Sequence, residues 1–226
     1  MKKNLFFLLI LFSFNGFAQE FEKVIEDNSF LIEEAYNQEN NIVQHISNYK
    51  FNNQNSYYSF TQEWPIFSKT HQFSYIISLN ENQKFDIESI NYRLQIIDDD
   101  DFAIAPRISI KKNELKFGYE INLPISKKFS NYFVNHFNFG FTHFQKSNLE
   151  YFIGASKIFI LNKNLNLLCE ILFSSSEKQF TLNPGIRYAF DFENLQIVSG
   201  FSLPFEIKKH DSEKNIFLYL SFEHPL

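Results

Sequence analysis

The chain has 226 residues, with 21 basic and 26 acidic side chains, a formal charge of −5, one cysteine and 30 phenylalanines. The acidic balance argues against a nucleic-acid partner, which needs a basic stripe for phosphates, and the lone Cys169 excludes an intramolecular disulfide or a thiolate metal cluster. Aromatic residues at 19% exceed what one soluble core of this length needs, and suit a barrel with an apolar outer band and aromatic girdles.

Met1-Lys2-Lys3-Asn4 is a basic start, Leu5 to Phe14 is almost wholly apolar, and small residues stand at Gly16 and Ala18. This is the pattern of a secretory signal peptide, residues 1–18, cut after Ala18. The apolar run is short for a spanning helix, which needs about 20 residues. Cleavage would expose Gln19 rather than a lipid-bearing Cys, and would leave 19 basic and 26 acidic residues, a formal charge of −7. After Ala18 the apolar runs are broken by polar residues too often for a spanning helix. A membrane-embedded mature chain would therefore be a barrel, because only helices and closed barrels satisfy their backbone in lipid.

Residues 19–41 do not alternate. Asn28-Ser29 predicts the cap of a short helix, with Glu33 and Glu34 in its early turns. Phe30, Glu33, Glu34 and Asn37 then fall near one face. This segment reads as periplasmic or as entering a lumen, where these four residues would form a plug; an exposed tail is the alternative.

From Ile42 to the end the chain reads as strands of about ten residues separated by polar turns, an all-β pattern. Ile42–Phe51 is ambiguous in phase. Tyr57–Trp64 sets Tyr58, Phe60 and Trp64 against Ser59, Thr61 and Glu63, and His71–Leu79 sets Phe73, Tyr75, Ile77 and Leu79 against Gln72, Ser74 and Ser78. In Ser89–Ile97, Ile90, Tyr92, Leu94 and Ile96 oppose Ser89, Asn91, Arg93 and Gln95. The acidic run Asp98 to Asp101 lacks the spaced ligands of a calcium loop and reads as a solvated turn. Ala103–Lys111 carries Arg107 on its polar face; the next strand sets Phe117, Tyr119, Ile121 and Leu123 against Gly118, Glu120 and Asn122. Tyr132–Phe144 opposes Phe133, Phe137, Phe139 and Phe141 to His136, Asn138, Gly140 and Thr142. Tyr151–Phe159 is weaker. Leu165–Phe173 carries Glu170 on its polar face, Thr181–Phe190 carries Arg187, and Leu195–Pro204 carries Gly200. A charged loop, Glu206–Lys214, leads to a last strand with Ile216, Leu218, Leu220 and Phe222 on its apolar face. That strand would close on an earlier one, since an open apolar edge templates aggregation.

The expected fold is a transmembrane antiparallel up-and-down β-barrel of about 12 strands, formed by residues 42–226. The apolar face is too large and aromatic to fill a soluble interior. The other face is rich in Ser, Asn, Gln, Thr and Gly with isolated charges, as expected of a lumen. Glu63, Arg93, Arg107, Glu120, His136, Glu170 and Arg187 are its candidate lining residues.

Four blocks carry a resemblance. Ser29-Phe-Leu-Ile-Glu-Glu-Ala-Tyr-Asn-Gln-Glu39, Val43-Gln44-His45, Ser59-Phe-Thr-Gln-Glu-Trp-Pro65 and Phe217-Leu-Tyr-Leu-Ser-Phe-Glu-His-Pro225 resemble uncharacterised bacterial outer-membrane barrels labelled as transporters. Those are related to the barrel family associated with the phenol meta-degradation pathway. The resemblance runs from about Ser29 to the end and implies an outer-membrane barrel, with no substrate and no catalytic residues to carry over.

The function expected is a channel or transporter for small solutes through a polar lumen, where arginines attract anionic groups and carboxylates position or exclude them. The alternatives are a closed structural or assembly barrel and an outer-membrane lipid-modifying enzyme. His136 and Asn138 share a strand face and serines abound, but no nucleophile motif accompanies them. No histidine pair has metal-ligand spacing, and no cofactor is implied. The expected partners are outer-membrane lipid, an unidentified small solute, and the barrel-assembly machinery through the C-terminal strand.

Overall fold

The computed structural model describes residues 29–79, 84–113, 116–209 and 211–226. The signal segment and residues 19–28 lie outside the described residues. The strands are β1 (Ile42–Phe51), β2 (Ser56–Ile66), β3 (Ser68–Leu79), β4 (Phe85–Leu94), β5 (Ile97–Asp99), β6 (Phe102–Ile104), β7 (Arg107–Asn113), β8 (Lys116–Ser130), β9 (Phe133–Phe144), β10 (Glu150–Asn162), β11 (Leu165–Ser174), β12 (Gln179–Phe192), β13 (Leu195–Ser202), β14 (Phe205–Ile207), β15 (Ser212–Lys214) and β16 (Ile216–Pro225). Twelve of them, β1 to β4, β7 to β13 and β16, are the staves of one closed antiparallel barrel. Each pairs with the next in the chain. β16 returns to β1 in unbroken register from Ile42↔Pro225 to Phe51↔Ile216, so no edge is left. Beyond the last rung, the Leu226 N–H donates to the Asn41 carbonyl at 2.7 Å.

The alternation of the sequence becomes an inside and an outside. On β8, Phe117, Tyr119, Ile121 and Leu123 face outward and are exposed, while Glu120 and Asn122 are buried in the interior. On β9, Phe139 is 57% exposed and His136 is 0% exposed. The largest fully buried side chains include Arg187, His136, Gln44, Glu170, Asn122, Asn166 and Asn183. A polar interior under an apolar exterior inverts the soluble arrangement and matches a wall against lipid.

Three local expectations change. Ala103–Lys111 is two strands, β6 and β7, because Pro106 lacks the N–H that would continue the ladder. The Ala105 N–H donates instead to the Pro124 carbonyl at 3.2 Å. The acidic run forms the hairpin β5–β6, which lies against β8 and turns at Asp100-Asp101. The charged loop Glu206–Lys214 contributes to the β14–β15 hairpin, whose β14 pairs with the start of β12.

The helix expected at Asn28-Ser29 is also corrected. Asn28 lies outside the described residues, and residues 29–41 form bends and turns, with no helix. The physical reason is the source of their hydrogen bonds. The N–H groups that a helix would pair with its own carbonyls are taken by side chains of the barrel wall.

Candidate functional site: the lumen and the segment that winds through it

Asn41 adopts a left-handed conformation, with φ 61°, and the Ile42 N–H bonds back to the Glu39 carbonyl at 3.1 Å. This turn sends the chain that precedes β1 into the barrel. The segment then follows the inner wall from β1 back to β12.

Side chains of β3, β8, β9 and β11, and Gln95 just beyond β4, offer acceptors to its main chain. The Gln38 N–H donates to Gln72 Oε1 of β3 at 2.8 Å, and the Asn37 N–H donates to Gln95 Oε1 at 3.1 Å. The Ala35 N–H donates to Ser126 Oγ of β8 at 2.8 Å. The Glu33 N–H donates to Asn138 Oδ1 of β9 at 2.8 Å. Glu170 of β11 accepts three successive N–H groups, from Phe30, Leu31 and Ile32, at 2.9, 2.9 and 3.1 Å on one oxygen. Its other oxygen accepts from Asn183 Nδ2 at 2.6 Å. Three main-chain N–H groups converge on this one side chain, more than on any other acceptor along the segment.

The arginine side chains complete the attachment. Arg93 of β4 donates to the Glu34 carbonyl at 3.0 Å, the Tyr36 carbonyl at 2.7 Å and Asn37 Oδ1 at 2.7 Å. The Glu33 carboxylate lies between strands: Arg93 Nη1 is 3.3 Å from one oxygen, and Arg107 Nε and Asn122 Nδ2 are 3.0 and 2.8 Å from the other. Arg107 also donates to Glu120, which holds Lys111 and the Thr142 hydroxyl as well.

Two glycines make room for an aromatic ring. A Cβ at Gly185 would stand 2.6 Å from the Phe30 ring, and one at Gly200 would stand 2.5 Å from it. Phe30 rests there with its ring centroid 5.5 Å from that of Phe217 and 5.4 Å from that of Tyr219. Gly154 likewise leaves space for Ile32.

Above the segment, toward the barrel end opposite Pro225, lies a cavity of about 540 Å³. Its floor is Ser29 to Glu34, and it extends to Ser176 in the turn between β11 and β12. One wall is charged and amidic, with Glu63, Arg107, Lys111, Glu120 and Asn122. The other is mixed, with Phe144, Phe152 and Leu172 beside Asn138, Thr142 and Glu150. Beyond β14, Lys208 bonds to Glu177 at 2.6 Å, and that bond raises the Lys208 ammonium above its ordinary pKa.

The structure places Glu63, Arg93, Arg107 and Glu120 around this cavity; Glu170, His136 and Arg187 are buried on the inner side but do not line it. Phe30, Glu33 and Glu34 form part of its floor, whereas Asn37 lies outside it. Sequence reasoning named neither Ser126 nor Lys111, Asn122, Gln72 and Gln95 as site residues. The available signal was parity, because Lys111 shares a strand face with Arg107 and Asn122 shares one with Glu120.

His136 has a serine partner, since its Nδ1 is 2.7 Å from Ser126 Oγ. Both residues are 0% exposed, and Ser126 Oγ already accepts the Ala35 N–H. A substrate carbonyl has no approach to this pair, so its geometry is that of a structural contact. Among the described residues no group of three or more His, Cys, Asp or Glu is placed to hold a metal ion.

No family model and no curated protein matches the chain. Among solved structures it is similar to the KdgM porin, with a TM-score of 0.62 and 9% identity over 81% of this chain and 99% of that one. It is similar to the NanC porin, with a TM-score of 0.57 and 6% identity over 81% and 100%. It is also similar to an outer membrane channel from Pseudomonas putida F1, with a TM-score of 0.58 and 8% identity over 85% and 98%. At these identities the likeness is one of fold: the chain has the closed antiparallel barrel found in bacterial outer-membrane porins and channels.

Proposed function

We propose that the chain is an outer-membrane channel for small polar solutes, in a closed state. In this reading residues 1–18 are a cleaved signal peptide, residues 19–41 a periplasmic-side segment entering the lumen, and residues 42–226 the barrel. The barrel meets lipid with its aromatic face and reaches the membrane through assembly machinery that engages β16. The kinship with barrels of the phenol meta-degradation pathway rests on the sequence blocks alone.

One observation carries this reading. The strand pairing of the barrel is complete without the segment, which is held by side chains and contributes no rung to the ladder. A closure attached in this way can leave without opening the wall, whereas a closure built into the sheet could not. The cavity above it supports a solute path that stops at this floor.

The test is conductance of the refolded mature protein in planar bilayers, with and without Gln19–Glu39. Discrete openings that become more frequent on deletion are expected. A second reading, a closed structural or assembly barrel, is favoured by the mutual pairing of Glu33, Arg93, Arg107 and Glu120. Silence from both proteins, with heat-modifiable gel migration proving a folded barrel, would select it.

A further inference from the structure

We infer that the seat of the Glu33 carboxylate is a binding site for small organic carboxylates with an apolar body, and that such a solute releases the segment by taking that seat. The site stands on its own geometry; the release rests on the channel reading above.

The seat belongs to the barrel and only its occupant belongs to the segment. Arg93, Arg107 and Asn122 come from β4, β7 and β8, and together place two guanidinium groups and one amide around a carboxylate at 2.8–3.3 Å. Guanidinium and amide N–H donors suit a carboxylate in both charge and geometry. Glu33 is in this sense a tethered ligand.

The seat is also reachable. All four residues line the cavity, and the side chains of Glu33 and Arg107 are 22% and 16% exposed. A free carboxylate arriving through the cavity meets the same donors without passing through protein. The Arg107 side of the seat is held in shape without the segment: Glu120 engages the Arg107 Nη2, and is itself fixed by Lys111 and Thr142. Arg93 is aimed by the Tyr36 carbonyl and Asn37 Oδ1, which leave with the segment, so Arg107 and Asn122 are the donors that remain in place for the solute.

The cavity specifies the rest of the ligand. Leu31, Phe144, Phe152 and Leu172 line it together with the seat. A solute with its carboxylate on Arg107 and Asn122 can lay an apolar body against them. Charge explains why such a solute would act on the segment. Withdrawing Glu33 alone takes one carboxylate from two guanidinium groups: Arg107 keeps Glu120, while the buried Arg93 loses its ion pair, which is unfavourable. A solute that brings its own carboxylate replaces the lost charge, and occupancy of the seat and departure of Glu33 become linked.

The experiment uses the mature protein with Glu33→Ala, which vacates the seat, and hexanoate, acetate and hexanamide as probes. The readout is the midpoint of the heat-modifiable gel shift in detergent. Hexanoate should raise it saturably, acetate should need at least several-fold more ligand, and hexanamide should have no effect. Adding Arg107→Gln should abolish the response. If Glu33→Ala does not fold, Glu33→Gln keeps the shape of the side chain and is read in the same way. In planar bilayers, hexanoate should raise the open probability of the native protein several-fold. A folded variant that shows no saturable response to carboxylates, or responds equally to hexanamide, overturns the site. Saturable binding with no conductance from the native or segment-deleted protein leaves the site standing and defeats the channel reading and with it the release.

Discussion

Asn138 clasps the main chain of Glu33 in the manner of one rung of a sheet. Its Oδ1 accepts the Glu33 N–H at 2.8 Å and its Nδ2 donates to the Glu33 carbonyl at 2.6 Å. The side chain of a wall strand thus does for the segment what a neighbouring strand would do.

Asn138→Leu removes both bonds and leaves two main-chain groups without partners. The expected cost is about 1–3 kcal/mol per group left unsatisfied if the segment stays, so the segment should loosen instead. Faster amide exchange at Glu33 and more frequent openings in planar bilayers are the expected results. Unchanged exchange would refute the clasp.

The pairing of Phe30 with Gly200 is steric. A Cβ at Gly200 would press on the ring at 2.5 Å, so Gly200→Ala should destabilise the folded state by about 1–3 kcal/mol, the usual range for overpacking. Combining it with Phe30→Ala should recover much of that loss, because the ring that clashes is gone. Denaturation midpoints of the two single variants and the double variant measure this coupling; strict additivity would mean that the two residues do not meet.

Glu170→Gln keeps the shape of the anchor and replaces one acceptor oxygen with an NH2 donor. Both oxygens now accept, three N–H groups on one and Asn183 on the other, so the amide cannot serve both positions as the carboxyl group does. Limited proteolysis of the refolded variant should cut within residues 29–36 sooner than in the native protein. Equal rates would show that the second acceptor oxygen adds nothing to the anchor.

On the outer wall, Phe139→Arg places a guanidinium on a face that is 57% exposed in the isolated barrel. If that face meets lipid, the expected cost is about 2–4 kcal/mol near mid-membrane. It should appear as a lower midpoint for unfolding from lipid vesicles, with little change in detergent. A variant that folds in buffer without detergent would contradict the membrane assignment.

The barrel was legible because its rule has a period of two. Phe117, Tyr119, Ile121 and Leu123 alternate with Gly118, Glu120 and Asn122, and each side chain falls where parity sends it. The break at Ala105-Pro106 was missed although its cause stands in the sequence, since apolar alternation continues across the proline from Ile104 to Ile108. The segment was harder to read. Glu33 and Glu34 near a serine suit a helix start by local rules, but Glu170 lies 138 residues beyond Ile32 and replaces the local acceptors. No local pattern predicts that exchange. The glycines at 185 and 200 gave a faint hint: bare positions on a polar inward face mark a close approach, but not what approaches.

The attachments of residues 29–38 are spread along the segment: Ser156 and Glu170 hold its first residues, then Asn138, Ser126, Gln95 and Gln72 hold the rest in turn. Tension applied from the N-terminal side therefore loads these bonds one after another, as a zip is drawn, and not all at once, as a bolt is sheared. Stretching the chain from that side with the barrel held fixed should give a run of small steps in place of one large rupture. The work of withdrawal is thus divided among separate events, the largest expected at the Glu170 anchor and at the Glu33 and Arg93 contacts, while every barrel rung stays in place.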